Sequence, residues 1–277
     1  MRRILTSVLW LGGLVGQAQI RPVSLLANAL HGTHATAVVV DVPSGNILAG
    51  YGALDVPAAP GSTMKPFVLK AALDAGEISA QETIHCRGTL MVKGHNLACG
   101  HPRDITVLDA RQALAESCNT YFVTLARRMA PQALLNGLHA YGLHPAGSAA
   151  VPDDRALLAV GIVGIKTSPR ELAMAYRRLA QQMNGATDPA LAVVRDGMLQ
   201  SVATGMAHGA QVDGVMLGGK TGTAQDAPAT WSHGWFVGVL FDGKMQARRV
   251  IVIYVPSGNG YDAALLARNI LQQKAVP

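Results

Sequence analysis

The sequence predicts an α+β fold: one antiparallel sheet built from both ends of the chain, flanked by helices, with an all-helical lobe inserted between the strands. Two observations support this prediction. Apolar, β-branched segments separated by turn residues lie near both termini, whereas the middle of the chain carries repeated helix-start signals. We therefore expect a sheet lobe at about residues 30–60 and 209–277 and a helical lobe at about residues 61–208.

The N-terminal part of the predicted sheet is a hairpin. Residues 36–41 are apolar and β-branched, residues 43–46 have turn chemistry, and residues 47–50 resume a strand. Pro60-Gly61 then interrupts the chain. A helix with apolar positions on much of its surface is predicted from Ser62 to about Ala75.

The middle of the chain is predicted to be helical after one long loop. Residues 82–105 are rich in Gly, His and Cys, so we expect a loop there. Capping patterns at Thr106–Asp109 and Ser168–Glu171 predict helices that run to about Glu116 and Gln182. Further helices are expected to begin near Asn119 and Pro131, and another covers residues 192–208.

The pattern switches back to strands near the C-terminus. Residues 215–225, 234–241 and 250–255 are strand-like, and Asp242-Gly243 suits a hairpin turn. A final helix is predicted from about Tyr261 to Gln273. A cleft between the two lobes is the natural place for a binding site.

The first residues read as a targeting segment. Arg2 and Arg3 precede a mostly apolar stretch at residues 4–16, which is shorter than the roughly 20 apolar residues that a membrane-spanning helix needs. Small residues around Ala18 suit a signal peptidase, and Ala27-Asn28-Ala29 is a second candidate site. We expect residues 1–18 to be a signal peptide or a short membrane anchor. The domain at residues 19–277 would then be exported, to a periplasmic or other extracytoplasmic place.

Composition excludes two broad classes of protein. Hydrophobic residues make up 49% of the chain and charged residues 14%, which is typical of an ordered globular domain and not of a disordered one. The formal net charge is +6, but the basic residues are scattered and no basic run is interleaved with aromatic residues. We therefore expect no binding of nucleic acid.

Three cysteines leave several interpretations open. In an exported protein Cys86 and Cys99 could form a disulfide, with Cys118 free. Cys86, His95, Cys99 and His101 could instead ligate zinc, although their spacing is not that of a standard finger. The cysteines could also have no special role.

Ser62 and Lys65 are the candidate nucleophile and base. Residues three apart on a helix share a face, so the lysine amine can lie beside the serine hydroxyl. A serine needs a neighbour that takes its proton, and a lysine does this only when burial or a second cation lowers its pKa. Taken alone, however, the Ser-x-x-Lys spacing fits a helix cap followed by a solvated lysine equally well.

Two further elements strengthen this interpretation. Ser117 and Asn119 flank a cysteine between two predicted helices, where both side chains could face a cleft; alone they would read as caps. The run Lys220-Thr221-Gly222-Thr223 lies in a predicted strand, and it is the rarest of the three patterns by composition. Its lysine and hydroxyls could bind an anion, and Gly222 would let the backbone approach a ligand.

In this order, the three elements resemble the motifs of the serine penicillin-recognising enzymes: transpeptidases, carboxypeptidases and serine β-lactamases. Residues 60–67 and the hairpin at 41–49 look like class B penicillin-binding proteins, and so do the stretches at 113–122, 167–180, 218–225 and 233–238. The resemblance covers the chain from about residue 35 onward. It implies a β-lactamase/transpeptidase-like fold.

The resemblance also implies roles for the motif residues. Ser62 would attack a carbonyl, Lys65 would accept its proton, and Ser117 would relay the proton to the leaving nitrogen. Asn119 would hold the substrate amide. The substrate carboxylate would bind to Lys220, Thr221, Gly222 and Thr223, and the backbone N–H groups of Ser62 and Thr223 would form the oxyanion hole.

The implied substrate is a D-Ala-D-Ala peptidoglycan stem peptide, with β-lactams as covalent inhibitors or substrates. A serine β-lactamase and a β-lactam or muropeptide sensor with little turnover stay open as alternatives. A β-lactamase needs a water activator; Glu171 looks like a cap, and Asp153 and Asp154 look like solvated loop carboxylates. We expect no cofactor, no metal at the catalytic site, and possible membrane association only through residues 4–16.

Overall fold

The computed structural model describes residues 26–147, 149–185 and 187–273. The predicted signal peptide or anchor, including residues 4–16, lies outside these ranges. Across the described ranges, no helix is both long enough and apolar enough to cross a membrane.

The described part of the chain alternates strands and helices. In chain order the strands are β1 Thr36–Asp41, β2 Ile47–Tyr51, β3 Ile84–His85, β4 Thr89–Val92, β5 His95–Ala98, β6 Val107–Leu108, β7 Met216–Ala224, β8 His233–Phe241 and β9 Ala247–Val255. The α-helices are α1 Lys65–Asp74, α2 Ala110–Ala115, α3 Asn119–Arg128, α4 Pro131–His139, α5 Pro152–Ala159, α6 Pro169–Met183, α7 Pro189–Ala203 and α8 Gly260–Gln272. Short 3₁₀ helices occupy Gly61–Met64 and His208–Ala210.

The main sheet is built from both ends of the chain, as the strand pattern predicts. Its five strands lie in the order β2-β1-β9-β8-β7, and every neighbouring pair is antiparallel. The pairing of β1 with β9 joins the N-terminal strands to the C-terminal strands, and β7 forms one edge of the sheet. This arrangement places the Lys220–Thr223 run on an edge strand, where it can face a cleft.

The central strands are apolar at consecutive positions because helices cover both faces of the sheet. In β1, Val38 and Val40 pack into one hydrophobic cluster, whereas Ala37 and Val39 pack into another. The first cluster contains residues of α1, α3 and α6, and the second contains residues of α8 and of the helical turn at 26–29. Alternation of side chains across the sheet therefore connects each face to a different helical layer.

Capping explains two of the helix starts. Ser168 accepts a hydrogen bond from the backbone of Glu171, whose carboxylate returns to the Ser168 backbone, so Glu171 is the capping residue that the sequence indicates. Asp109 and Gln112 form the same box at α2. The expected cap at Thr106–Asp109 is therefore correct only for Asp109, because Val107–Leu108 is strand β6.

The expected loop at residues 82–105 is wrong where three short strands interrupt it. β3 pairs with β6, and β4 pairs with β5 in a tight hairpin around Lys93 and Gly94, so the inserted lobe is not helical throughout. These strands have two to four residues and largely exposed side chains, so they give no hydrophobic alternation to detect.

Candidate active site

Ser62 lies in the 3₁₀ helix that precedes α1. The turn into this helix is possible because Gly61 has a positive φ of 57° and lies against β7. A Cβ added to Gly61 would lie 2.7 Å from the carbonyl oxygen of Thr223. A Cβ added to Gly161 would lie 2.1 Å from the carbonyl oxygen of Gly61. These close approaches between backbones hold Ser62 next to the Lys220–Thr223 strand.

Buried side chains fix the backbone on both sides of Ser62. The Tyr176 hydroxyl of α6 donates a 2.6 Å hydrogen bond to the carbonyl oxygen of Thr63. The Trp235 indole N–H of β8 donates to the carbonyl oxygen of Ala59 at 2.9 Å. Neither residue is predicted as part of the site, and no motif spacing marks them, because both act through the backbone of another residue.

Lys65 is completely buried, and its amine contacts the turn between α2 and α3. Nζ donates to the Ser117 carbonyl oxygen at 2.7 Å, to Asn119 Oδ1 at 2.7 Å, and to Ser117 Oγ at 3.2 Å. A hydrogen bond to Ser62 is not among these contacts. The three partners of the amine are all oxygen atoms that accept its protons.

Ser117 lies between two lysines. Its Oγ is 2.7 Å from Lys220 Nζ and 3.2 Å from Lys65 Nζ. The residue has a φ of 53°, a left-handed conformation that is uncommon outside glycine. The turn therefore places the Ser117 hydroxyl within hydrogen-bond distance of both lysine amines. The left-handed backbone of Ser117 costs some strain energy.

Asn119 connects the site to the β4–β5 hairpin. Its Oδ1 accepts from Lys65, and its Nδ2 donates to the Ala98 carbonyl oxygen at 2.8 Å. The side chain is thus not simply a helix cap. It links the buried lysine to a wall of the cleft.

Strand β7 approaches the Ser62 helix very closely. A Cβ on Gly222 would lie 2.5 Å from the Pro60 carbonyl oxygen and 2.9 Å from Thr63 Cγ2, so only glycine permits this packing. Thr223 is exposed, and its hydroxyl accepts a 2.9 Å hydrogen bond from the Gly260 backbone at the start of α8.

Burial lowers the pKa of both lysines. Desolvation brings the pKa of Lys65 to about 8, partly offset by the nearby Cys118 and Cys99. Desolvation also lowers the pKa of Lys220 well below its ordinary value, and repulsion from Lys65 lowers it further. The pKa of Lys65 is thus close to the range in which a lysine can exchange a proton at physiological pH, and the pKa of Lys220 is shifted in the same direction.

The motif residues converge on one cleft of about 320 Å³. Ser62, Ser117, Asn119 and residues 221–223 line it, and the two lysines lie beneath its floor. The other lining residues are not predicted from the sequence. They come from the β4–β5 hairpin region and from loops after α5 and α7: Asn96, Leu97, Ala98, Gly100, Val160, Ile162 and Met206. None of these carries a motif, so only the folded chain brings them together.

A family model for the penicillin-binding protein transpeptidase domain matches residues 35–272. The chain belongs to this family. A comparison with curated proteins gives no match. The transpeptidase resemblance that the three motifs indicate is therefore confirmed at the level of the family.

Solved structures of similar fold support the same architecture. The D,D-transpeptidase domain of a peptidoglycan glycosyltransferase from Eggerthella lenta is 21% identical, with a TM-score of 0.79 over 92% of this chain and 80% of that one. Penicillin-binding protein 2 of Pseudomonas aeruginosa gives 20% identity, a TM-score of 0.75, and coverage of 91% and 73%. The transpeptidase domain of Burkholderia pseudomallei penicillin-binding protein 3 gives 22%, 0.74, and 91% of both chains. The predicted α+β, transpeptidase-like fold class is confirmed.

Asp153 and Asp154 are the two carboxylates that could activate a water molecule if this domain acted as a β-lactamase. Asp153 and Asp154 lie in the first turn of α5, not in a loop. Asp153 pairs with Arg127 at 2.7 Å, and Asp154 pairs with Lys93 at 2.5 Å. Neither lines the Ser62 cleft.

The cysteines are free thiols in this structure. Cys86 Sγ and Cys99 Sγ are 3.5 Å apart, well beyond the roughly 2.05 Å of a disulfide bond. His95, which the sequence suggested as a fourth zinc ligand, is not in the cluster; Cys118 is there instead, with Cys86, Cys99 and His101.

Proposed function

We propose that this transpeptidase domain transfers the acyl group of a D-Ala-D-Ala stem peptide through an acyl-enzyme on Ser62. One observation carries the proposal: Ser117 Oγ lies between the buried amines of Lys65 and Lys220, at the edge of a cleft that Ser62 also lines. This arrangement supplies a nucleophile, two groups with lowered pKa and a hydroxyl between them.

Substrate binding would prepare the base. A carboxylate that docks against Lys220 and the hydroxyls of Thr221 and Thr223 would favour the charged form of Lys220. Repulsion between the two amines would then favour the neutral form of Lys65, which is the form that accepts a proton. The amine would leave its contacts on Ser117 and Asn119 and turn toward Ser62.

Acylation would follow from these positions. Ser62 Oγ would attack the carbonyl carbon of the penultimate D-alanine while Lys65 takes its proton. The negative oxygen would accept hydrogen bonds from the backbone N–H groups of Ser62 and Thr223. The proton would then pass from Lys65 through the Ser117 hydroxyl to the leaving nitrogen, and the terminal D-alanine would depart as a free amine.

Deacylation would run the same steps with a new nucleophile. A peptide amine would attack the Ser62 ester in transpeptidation, and water would attack it in carboxypeptidation, with Lys65 again accepting the proton. Asn119 would hold the amide of the acyl chain. We also propose that the domain works in the periplasm or another extracytoplasmic space, where peptidoglycan lies.

Intact-mass spectrometry after mixing with a penicillin tests this proposal. We expect one adduct per chain that persists for many minutes, is absent in Ser62→Ala, and is retained in Ser257→Ala, which changes an exposed serine in a turn. Turnover of a D-Ala-D-Ala peptide would separate an enzyme from a sensor.

Two results would contradict the proposal. An adduct that disappears within seconds while penicillin is consumed would indicate a β-lactamase. The absence of any adduct on the folded wild-type protein would exclude the acyl-enzyme.

A further inference from the structure

A cluster of metal-ligating side chains lies beside the serine site. Cys86 follows β3, Cys99 follows β5, His101 lies two residues further on, and Cys118 precedes α3. Their ligand atoms, three sulfurs and one imidazole nitrogen, all lie within 4.8 Å of one another. Three separate chain segments thus meet at one point.

The spacing of these atoms resembles that of a tetrahedral zinc site. With Zn–S bonds of about 2.3 Å and Zn–N bonds of about 2.0 Å, a tetrahedron has S–S edges of about 3.8 Å and S–N edges of about 3.5 Å. The Cys99–Cys118 sulfurs are 3.8 Å apart, the Cys86–Cys99 sulfurs 3.5 Å, and Cys86 Sγ is 3.4 Å from His101 Nε2.

Outer contacts orient two of the ligands. His101 Nδ1 lies 3.0 Å from the Pro102 carbonyl oxygen, so Nδ1 carries the proton that it donates, and Nε2 presents its lone pair to the sulfurs. The backbone N–H of Gly88 donates to Cys86 Sγ at 3.3 Å. A ring N–H given to a backbone carbonyl is the usual way in which a protein fixes a metal-binding histidine.

Burial and access also suit a metal. Cys118 is fully buried, and His101 is only 7% exposed. A separate cavity of about 550 Å³ touches Cys86, Cys99 and His101, so an ion can reach the cluster from solvent without passing through the Ser62 cleft. Three thiolates and an imidazole complete four-coordination, which is typical of structural zinc rather than catalytic zinc.

We infer that Cys86, Cys99, His101 and Cys118 bind one zinc ion. The ion would join the β4–β5 hairpin to the turn that carries Ser117 and Asn119. This inference replaces two sequence interpretations: the Cys86–Cys99 disulfide, and the zinc set that used His95. The inference does not rest on the reaction proposed at Ser62.

Cys118 connects the proposed zinc site to the serine site. This ligand stands between Ser117 and Asn119, and Asn119 Nδ2 already bonds to the carbonyl oxygen of Ala98, the neighbour of Cys99. A zinc ion would add a second link between the end of the β4–β5 hairpin and the turn at residues 117–119. It would act as a positioning element, because its four ligands include neither Ser62 nor either lysine of the site.

Elemental analysis of the purified full chain tests the inference. Protein prepared without chelator should contain about one zinc per chain, and Cys99→Ser should contain less than about a tenth of that. His95→Gln is the matched control, because His95 lies on the same hairpin outside the cluster; it should keep its zinc. Ser62→Ala should keep it too, so loss of metal and loss of acylation are read separately.

Cobalt spectroscopy on the wild-type chain covers the case in which a cysteine variant does not fold. After chelation under reducing conditions, added Co²⁺ should give the visible bands of a tetrahedral site and near-ultraviolet charge transfer from three thiolates. Zinc should then displace it. A metal-free protein with a Cys86–Cys99 disulfide, octahedral cobalt bands, or equal metal loss in His95→Gln and Cys99→Ser would overturn the inference.

Discussion

At the scale of single residues, Ser117 has the most constrained position of the site. Its left-handed backbone costs on the order of 1 kcal/mol or more for a non-glycine residue. In return, its hydroxyl lies within hydrogen-bond distance of Lys65 and Lys220, and its carbonyl accepts from Lys65. A relaxed turn would move the hydroxyl out from between the amines.

The pKa of Lys65, about 8, predicts how acylation depends on pH. The reactive form is the neutral amine, so the second-order rate constant for acylation should rise with pH, about tenfold between pH 7 and pH 9. A fluorescent penicillin and rapid mixing would measure it. Hydrolysis of the penicillin in buffer is the control at each pH, and a flat profile would exclude Lys65 as the base.

Gly222 predicts a steric effect in the strand. Gly222→Ala would drive a methyl group into the Pro60 carbonyl oxygen and Thr63, so we expect about 1–3 kcal/mol of destabilisation and about 100-fold slower acylation. Gly243→Ala is the control, because a Cβ at Gly243 meets nothing within 4 Å. Urea unfolding and adduct formation should separate the two variants; equal behaviour would contradict the packing argument.

The convergence of the motif residues on one cleft was predictable from the sequence, because the proposed chemistry requires particular side chains at particular spacings. The six side chains and backbone positions expected in the cleft do meet there, with the lysines below them. Tyr176 and Trp235 were not predictable as site residues. They hold the carbonyl oxygens of Thr63 and Ala59, and any spacing in the sequence could bring a donor to those oxygens.

At the scale of elements, the 3₁₀ helix of Ser62 depends on α6. Tyr176→Phe would leave the ring on Phe67 but remove the hydroxyl that donates to the carbonyl oxygen of the buried Thr63, and we expect about 1–3 kcal/mol of destabilisation. Acylation should slow as the helix loosens. Thermal unfolding and adduct kinetics would measure both effects.

Tyr141→Phe is the matched control for this change. The Tyr141 ring also packs on Phe67, with centroids 5.0 Å apart, but its hydroxyl bonds to Gln182, away from Ser62. We expect some loss of stability and no change in acylation. Equal slowing in both variants would mean that the ring packing, and not the Thr63 contact, positions the nucleophile.

The β4–β5 hairpin should influence acylation through the proposed zinc site. Removal of zinc with a chelator under reducing conditions should slow acylation of the wild-type chain, because the Ser117–Asn119 turn loses one of its ties to the hairpin. Zinc added back should restore the rate. His95→Gln should respond like the wild type, and an unchanged rate in verified metal-free protein would show that the Asn119 contact suffices.

Element prediction succeeded where periodicity or caps were strong and failed where they were weak. The α6 start was marked by a serine, a proline and a glutamate, and the long strands β7–β9 by apolar runs. The hairpin at residues 89–98 has neither signal. Its two strands are joined by the turn at Lys93-Gly94, where both residues have a positive φ.

At the scale of the whole molecule, one hydrophobic cluster connects the sheet to the inserted lobe. Val38 and Val252 of the sheet belong to the same buried cluster as Phe67, Leu125 and Leu179 of the helices. The predicted sheet lobe (residues 30–60 and 209–277) and the predicted helical lobe (residues 61–208) therefore share one hydrophobic core. The boundary between the two lobes stays a prediction from the sequence.

The shared core predicts one cooperative unfolding transition. Urea curves followed by far-ultraviolet circular dichroism and by the fluorescence of Trp235 should coincide, with Trp10 and Trp231 replaced by Phe to isolate the buried indole. Trp235 reports on the sheet, and circular dichroism reports mainly on the helices. Separate midpoints would mean that the lobes unfold independently.

The pairing of β1 with β9 determines when the main sheet can form during synthesis. Asp41 and Arg249 form an ion pair in this strand pair, although they are 208 positions apart. Because a ribosome synthesises a chain from its N-terminus, residues 36–41 emerge long before residues 247–255, which pair with them. Until β9 emerges, β1 has only β2 as a partner in the sheet. The five-stranded sheet can therefore form only after the whole inserted lobe has been synthesised.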